Sequence, residues 1–297
     1  MRVLILGGSG MLGHKLSQTL SSRVETFPTF RTAASLIGRE RIFDLDACVT
    51  GVSAEDFPSA RRAIDRIRPN AVVNCIGIVK QLSQAKNHIA SIEVNALFPH
   101  RVAAACANVG ARLIHVSTDC VFSGRKGGYR EGDPPDPEDV YGRTKLLGEV
   151  DGAGCLTIRT SMIGRELGGA HGLLEWFLSR NGGTIRGFAR AIFSGLTTAA
   201  LSDIVGRVIT DRPDLDGLMH VASQPISKYE LLLAIRDAFS LRIEIERDDT
   251  FVCDRSLDAA RFRAATGISP PPWSDMIEAM RRDPTPYEAL RGIDAAR

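Results

Sequence analysis

Apolar residues first form a short unbroken run, Arg2–Leu6, and then recur at helical spacing from Met11 to Leu20. A run rich in branched residues with no polar alternation predicts a strand buried on both faces, as in a parallel sheet. The same alternation continues along the first half of the chain. Val24–Phe27 and Ile42–Asp44 read as strands two and three, and Ala54–Ile67 as an amphipathic helix closed by Pro69. Ala71–Ile76 reads as strand four, Ile92–Val109 as a helix ended by Gly110, and Arg112–Ser117 as strand five. A Gly-, Pro- and Asp-rich loop, Ser123–Asp139, precedes a helix at Tyr141–Glu149 and a strand at Leu156–Thr160. A loop of that length points to a site rather than a simple connection.

Beyond Gly164 the alternation weakens. Glycine pairs at 168–169 and 182–183 flank a helical stretch with Trp176 and Phe177. Helices are expected at Ala199–Thr210 and Tyr229–Phe239, a strand at Leu218–Val221, and two short helices around Pro270–Pro272. The pattern predicts an α/β protein. A Rossmann-like doubly wound parallel sheet is expected over residues 1–164, with a return segment at 192–222. A smaller, interleaved C-terminal α/β substrate domain is expected over 165–191 and 223–297.

Composition narrows the class without changing this picture. Of 297 residues, 44% are hydrophobic and 24% charged, as in ordinary globular proteins. A net charge of +2 with no basic block argues against a nucleic-acid surface. No apolar run approaches the roughly 18 residues of a membrane helix, and the first strand leaves no room for a leader, so a cytoplasmic location is expected. The six cysteines form no C-x-x-C pair, which suits reduced thiols. The six histidines show no ligand spacing, so no catalytic metal is expected.

Strand one runs directly into Gly7-Gly8-Ser9-Gly10-Met11-Leu12-Gly13, a G-x-x-G-x-x-G loop. Gly7 suits a tight turn, Gly10 lets a pyrophosphate approach the backbone, and Gly13 lets a helix pack close to the strand. Met11 and Leu12 open that helix, whose free N–H groups attract phosphate. Further along stand Ser117-Thr118-Asp119 and Tyr141-Gly142-Arg143-Thr144-Lys145. Tyr141 and Lys145 share one helix face. An ammonium beside a phenol favours phenolate and should lower the phenol's pKa. The Thr118 hydroxyl, at a strand end, is placed to hold the oxygen that receives the proton.

With these residues the chain resembles the extended short-chain dehydrogenase/reductase superfamily, and within it the dTDP-4-dehydrorhamnose reductase family. The resemblance runs from the glycine loop through Ser117–Gly124, Tyr129-Arg130-Glu131, Tyr141–Lys145 and Gly148-Glu149 to Ile158–Ser161. Val94-Asn95-Ala96, Ser256-Leu257-Asp258 and Trp273 also fit. It implies hydride transfer to the C4 ketone of a nucleotide-linked 4-keto-6-deoxy sugar, serving cell-surface polysaccharide synthesis. Tyr141 would then protonate the alkoxide, Lys145 would tune Tyr141 and hold the nicotinamide ribose, and Thr118 would bind O4. Sugar-nucleotide dehydratases of the superfamily carry a carboxylate where this chain has Cys120, which favours plain reduction.

Residues 27–32 contain no acid, and Arg31 lies near the expected position of the 2′-phosphate partner. NADPH is therefore the expected cofactor, with NADH the alternative. Asp44 and Leu45 are expected on the adenine side after strand three, and Cys75, Ile76 and Gly77 on the cofactor floor. Lys80, Gln81, Lys228 and Arg255 are candidate substrate contacts, while Asn95 and Arg159 read as structural. The expected partner is a nucleotide sugar, with a homodimer left open. Two other readings stand beside the reductase: an epimerase or epimerase/reductase on a UDP-linked amino sugar, and a non-catalytic regulatory or binding subunit.

Overall fold

The computed structural model describes residues 1–295 apart from Ile37, 81–84 and Lys86. A seven-stranded parallel sheet dominates it. The elements of its first half are β1 (Arg2–Leu6), α1 (Met11–Leu20), β2 (Glu25–Phe30), β3 (Val49–Thr50), α2 (Phe57–Ile67) and β4 (Ala71–Asn74). Then follow α3 (His88–Ser91), π-helical turns at Ile92–Leu97, α4 (Phe98–Val109), β5 (Arg112–Val116), α5 (Val140–Leu147) and β6 (Cys155–Arg159).

The second half holds β7 (Met162–Ile163), α6 (Leu173–Leu178), β8 (Thr184–Phe193), β9 (Leu196–Thr197), α7 (Thr198–Asp211) and β10 (Gly217–His220). It ends with β11 (Ile226–Ser227), α8 (Lys228–Ala238), β12 (Glu244–Asp254), α9 (Ala260–Thr266), α10 (Trp273–Arg281) and α11 (Tyr287–Ala295).

The order of the large sheet is β10-β6-β5-β4-β1-β2-β3. Strand β1 shows why its run is continuously apolar. Val3 and Ile5 enter a core with Leu12, Leu16 and Leu20 of α1 and Leu201 and Val205 of α7. Leu4 and Leu6 enter the opposite core, with Ile64 of α2 and Val102 of α4. Burial on both faces leaves no position for a polar residue. A third core lies under the small β11-β8-β12 sheet, where Leu174, Phe177, Leu231 and Ile235 meet Ile185 and Ile245. Among the described residues, no helix is long and apolar enough to cross a membrane.

Several boundaries differ from the sequence pattern. The third strand is Val49–Thr50, paired with Thr29 and Phe30 of β2, and not Ile42–Asp44. The apolar side chain of Phe43 instead packs edge-on against Phe30, at a centroid distance of 4.9 Å. Strands β8 and β12 are not visible in the apolar pattern. Arg186, Arg190 and Glu246 lie on the solvated face, and Arg247 is exposed beside them, so charged residues interrupt the hydrophobic run. The helix expected from Ile92 begins earlier, at His88, where Asn87 accepts a hydrogen bond from the Ala90 amide.

The glycine loop makes one stringent demand. A Cβ on Gly13 would overlap the carbonyl of Gly7, itself at φ +90. Gly13→Ala is expected to cost about 3 kcal/mol or more in urea unfolding, because neither backbone can move aside.

Candidate active site

The strand order reverses between β1 and β4, and ligands in such sheets bind at the carboxyl ends of strands at that point. The Gly7–Gly13 loop follows β1, Cys75-Ile76-Gly77 follow β4, and Arg31 directly follows β2. The Gly10 amide donates to the Gly7 carbonyl at 3.0 Å, closing the turn. No side-chain cap occupies the N-terminus of α1. The N–H groups there stay available to an anion, so the loop suits a dinucleotide pyrophosphate. The Leu12 side chain is buried in the core, which leaves that position only its backbone to offer.

Arg31 is exposed and faces Glu55 at 3.7 Å. Asp44 and Leu45 precede β3 instead of following it, and Asp44 starts a short turn by accepting from the Asp46 amide. The position immediately after β3 belongs to Gly51 and Val52, which corrects the expected placement of Asp44 and Leu45 after the third strand.

At the end of β5, Thr118 turns the chain. Its hydroxyl accepts from the Cys120 amide at 3.1 Å and donates to Asp119 at 3.2 Å. Helix α5 starts at Asp139, whose carboxylate accepts from the Gly142 amide at 2.8 Å and pairs with Lys80 at 2.6 Å. Glycines seat the helix closely at both ends: a Cβ on Gly142 would overlap the Cys120 carbonyl, and one on Gly148 the Asn95 carbonyl. Asn95 is buried in the π-helical turns. It binds the Ile78 amide and carbonyl at 2.8 and 3.0 Å and reaches Thr144 at 3.4 Å. Thr118, Tyr141 and Lys145 are therefore held by backbone contact and by buried polar pins.

Burial pushes the Tyr141 phenol above its ordinary pKa, with Cys120 adding to the effect and the nearby Thr118 hydroxyl opposing it. This corrects the expectation that Lys145 lowers it. The Lys145 ammonium points instead at the Val116 carbonyl, 2.7 Å away. Burial lowers Lys145 itself to about 8, against the pull of Glu149 and Cys75. Tyr141 thus keeps its proton at neutral pH, as a general acid must. Burial likewise raises the Cys120 thiol to about 12, so Cys120 is a wall and not a nucleophile.

Of the candidate substrate contacts, Arg255 is brought to the site. It donates to the Phe122 carbonyl at 2.8 Å and lies 3.6 Å from the Cys120 sulfur. Its charge counters the burial that raises the Asp119 pKa, and Lys228, first in α8, acts in the same direction less strongly. Lys80 is held by Asp139, and Gln81 lies outside the described residues. Asp139 and His115 were not singled out from sequence. Asp139 carried a usable signal, an acid two residues before Tyr141 at a helix start; a lone His in an apolar strand carries none.

A doubly wound sheet with a glycine-rich first turn and a Thr, Tyr and Lys cluster at the end of β5 defines a dinucleotide-binding α/β protein of the short-chain dehydrogenase/reductase type. The chain belongs to the RmlD substrate binding domain family, whose profile matches residues 1–283. It is 26% identical to a dTDP-4-dehydrorhamnose reductase of Aggregatibacter actinomycetemcomitans over 94% of this chain and 98% of that one. A Streptomyces griseus reductase of the same name is 35% identical, over 50% of this chain and 43% of its own length. Methionine adenosyltransferase 2 subunit beta of Xenopus tropicalis is 25% identical over 94% of this chain and 81% of its own.

The same fold occurs in the Bacillus anthracis dTDP-4-dehydrorhamnose reductase solved with NADP, at a TM-score of 0.77, 22% identity and coverage of 94% and 98%. It also occurs in Bordetella bronchiseptica WbmG solved with NAD, at 0.77, 20% identity and coverage of 94% and 92%.

Proposed function

We propose that the protein reduces the C4 ketone of a nucleotide-linked 4-keto-6-deoxy sugar, with NADPH as cofactor. The observation that carries this reading is the placement of the Tyr141 phenol beside the Thr118 hydroxyl at the β5 end, with a thiol and no carboxylate at Cys120. Bound at the glycine loop, the dinucleotide supplies hydride. Tyr141 gives the sugar oxygen its proton and Thr118 holds that oxygen. Lys145 carries the positive charge that steadies the developing anion. Arg255, beside Cys120, is the residue best placed for a substrate phosphate.

The test is a panel of dTDP- and UDP-linked 4-keto-6-deoxy sugars, following NADPH absorbance and identifying the products. Stoichiometric oxidation with a 4-hydroxy product supports reduction. Conversion without oxidation would mark an epimerase, and binding without conversion a non-catalytic subunit. Intact Thr118, Tyr141 and Lys145 favour the enzyme.

Arg31 is the proposed 2′-phosphate contact. Arg31→Ser is expected to raise KM for NADPH by roughly 10–100-fold, the worth of a charge-assisted hydrogen bond. KM for NADH should hardly move. An equal rise for both cofactors would show that Arg31 does not read the 2′-phosphate.

A further inference from the structure

Behind Lys145 runs a buried polar chain that the proposed reaction does not use. The Ile76 amide donates to Asn74 Oδ1 at 3.1 Å, which fixes the orientation of the Asn74 side-chain amide. Its Nδ2 therefore faces His115 Nδ1, 3.2 Å away, as the donor. With the Asn74 amide reversed, two donors would meet at Ile76 in a buried site, at the full cost of an unmade hydrogen bond. His115 Nδ1 is thus an acceptor, and a neutral ring carries its proton on Nε2. Burial and the Lys145 charge both hold this ring neutral. Nε2 lies 3.5 Å from Lys145 Nζ.

Donor then faces donor whenever Lys145 is an ammonium. A neutral amine fits the same geometry: it accepts from His115 Nε2–H and still donates to the Val116 carbonyl. We propose that His115, its tautomer fixed by Asn74 and the Ile76 amide, is a positioning residue that aims an N–H at Lys145 and so sets how readily Lys145 releases its proton.

The surroundings leave His115 this role. Glu149, just past the end of α5, and Cys75, just past the end of β4, favour the ammonium, while burial opposes it. Tyr141 lies one turn back on α5. From α4, His100 faces His115, and it is engaged by the Leu147 carbonyl at 2.8 Å. A lysine poised near neutrality is able to pass a proton onward, where an ordinary one is not. That catalytic consequence rests on the reductase reading, but the proton affinity of Lys145 can be measured without any substrate.

The test is an NMR titration of 13Cε-lysine-labelled full-length protein, with the Lys145 signal assigned by its loss in Lys145→Arg. His115→Leu and His115→Asn remove the Nε2 donor, whereas His115→Gln keeps an N–H near that point. We expect the Lys145 midpoint to rise by about one pH unit, a tenfold change in proton affinity, in the Leu and Asn variants. The Gln variant should restore it to within a few tenths of a unit of wild type, by the same measure. If His115→Leu fails to fold, the Asn and Gln pair decides alone. An unchanged midpoint in a folded Asn or Leu variant, or equal midpoints in Asn and Gln, would overturn the proposal.

Where the wild type reduces a sugar of the panel, the alkaline limb of kcat/KM should move with the NMR midpoint. Absence of turnover with a shifted midpoint would sink the reductase reading and leave the role of His115 standing.

Discussion

Tyr141→Phe is expected to lower kcat by roughly 10²–10⁴-fold, the usual contribution of a positioned general acid. Dinucleotide affinity should hold within about twofold, since the substitution removes one hydroxyl and no packing volume. Tyr141 meets two requirements of the acid: burial raises its pKa, so the proton is present at pH 7, and the Thr118 hydroxyl lies beside it. Stopped-flow hydride transfer and fluorescence titration of NADPH separate the two quantities. Full turnover in the variant would mean that another group delivers the proton. Loss of NADPH binding would mean that the phenol holds the cofactor instead of the substrate oxygen.

The parts of this site legible in the sequence are those where one residue type satisfies a local demand. Gly7 and Gly13 belong to that group, because a left-handed turn and a helix pressed on a strand admit little else. That Tyr141 and Lys145 share one face of α5 follows from helical periodicity alone. What escaped depends on contacts distant in sequence. The direction of the Lys145 ammonium is set by Val116 on another element, so spacing along α5 suggested the wrong partner. The third strand was misplaced because Phe43, in a loop, satisfies its apolar character in a cluster with Phe30, Leu167 and Tyr287. Strands β8 and β12 escaped because a half-solvated sheet tolerates arginine and glutamate on its outer face.

Glu149→Ala is expected to destabilise the protein by about 3–5 kcal/mol, the cost of stranding a buried charge. Glu149 accepts from Arg159 Nε at 2.8 Å, from Nη2 at 2.7 Å and from the Ser117 hydroxyl at 2.6 Å. It thereby ties the end of α5 to the ends of β5 and β6. Arg159 is almost wholly inside, over the Phe122 ring at 5.2 Å, and without Glu149 it keeps its charge and loses its acceptors. Urea unfolding of Glu149→Ala, Arg159→Met and the double variant separates the cost of a stranded charge from the worth of the pair. The double variant should recover much of the loss, because apolar replacement of a buried pair is often near neutral. Simple addition of the two single effects would instead mean that each residue acts through independent packing. Glu149 also raises the proton affinity of Lys145, so Glu149→Gln should move the Lys145 titration below about 8 without emptying the site. A stability loss without that shift would place Glu149 in the scaffold alone; both together make it the joint that sets the seat of α5 and the charge of its lysine.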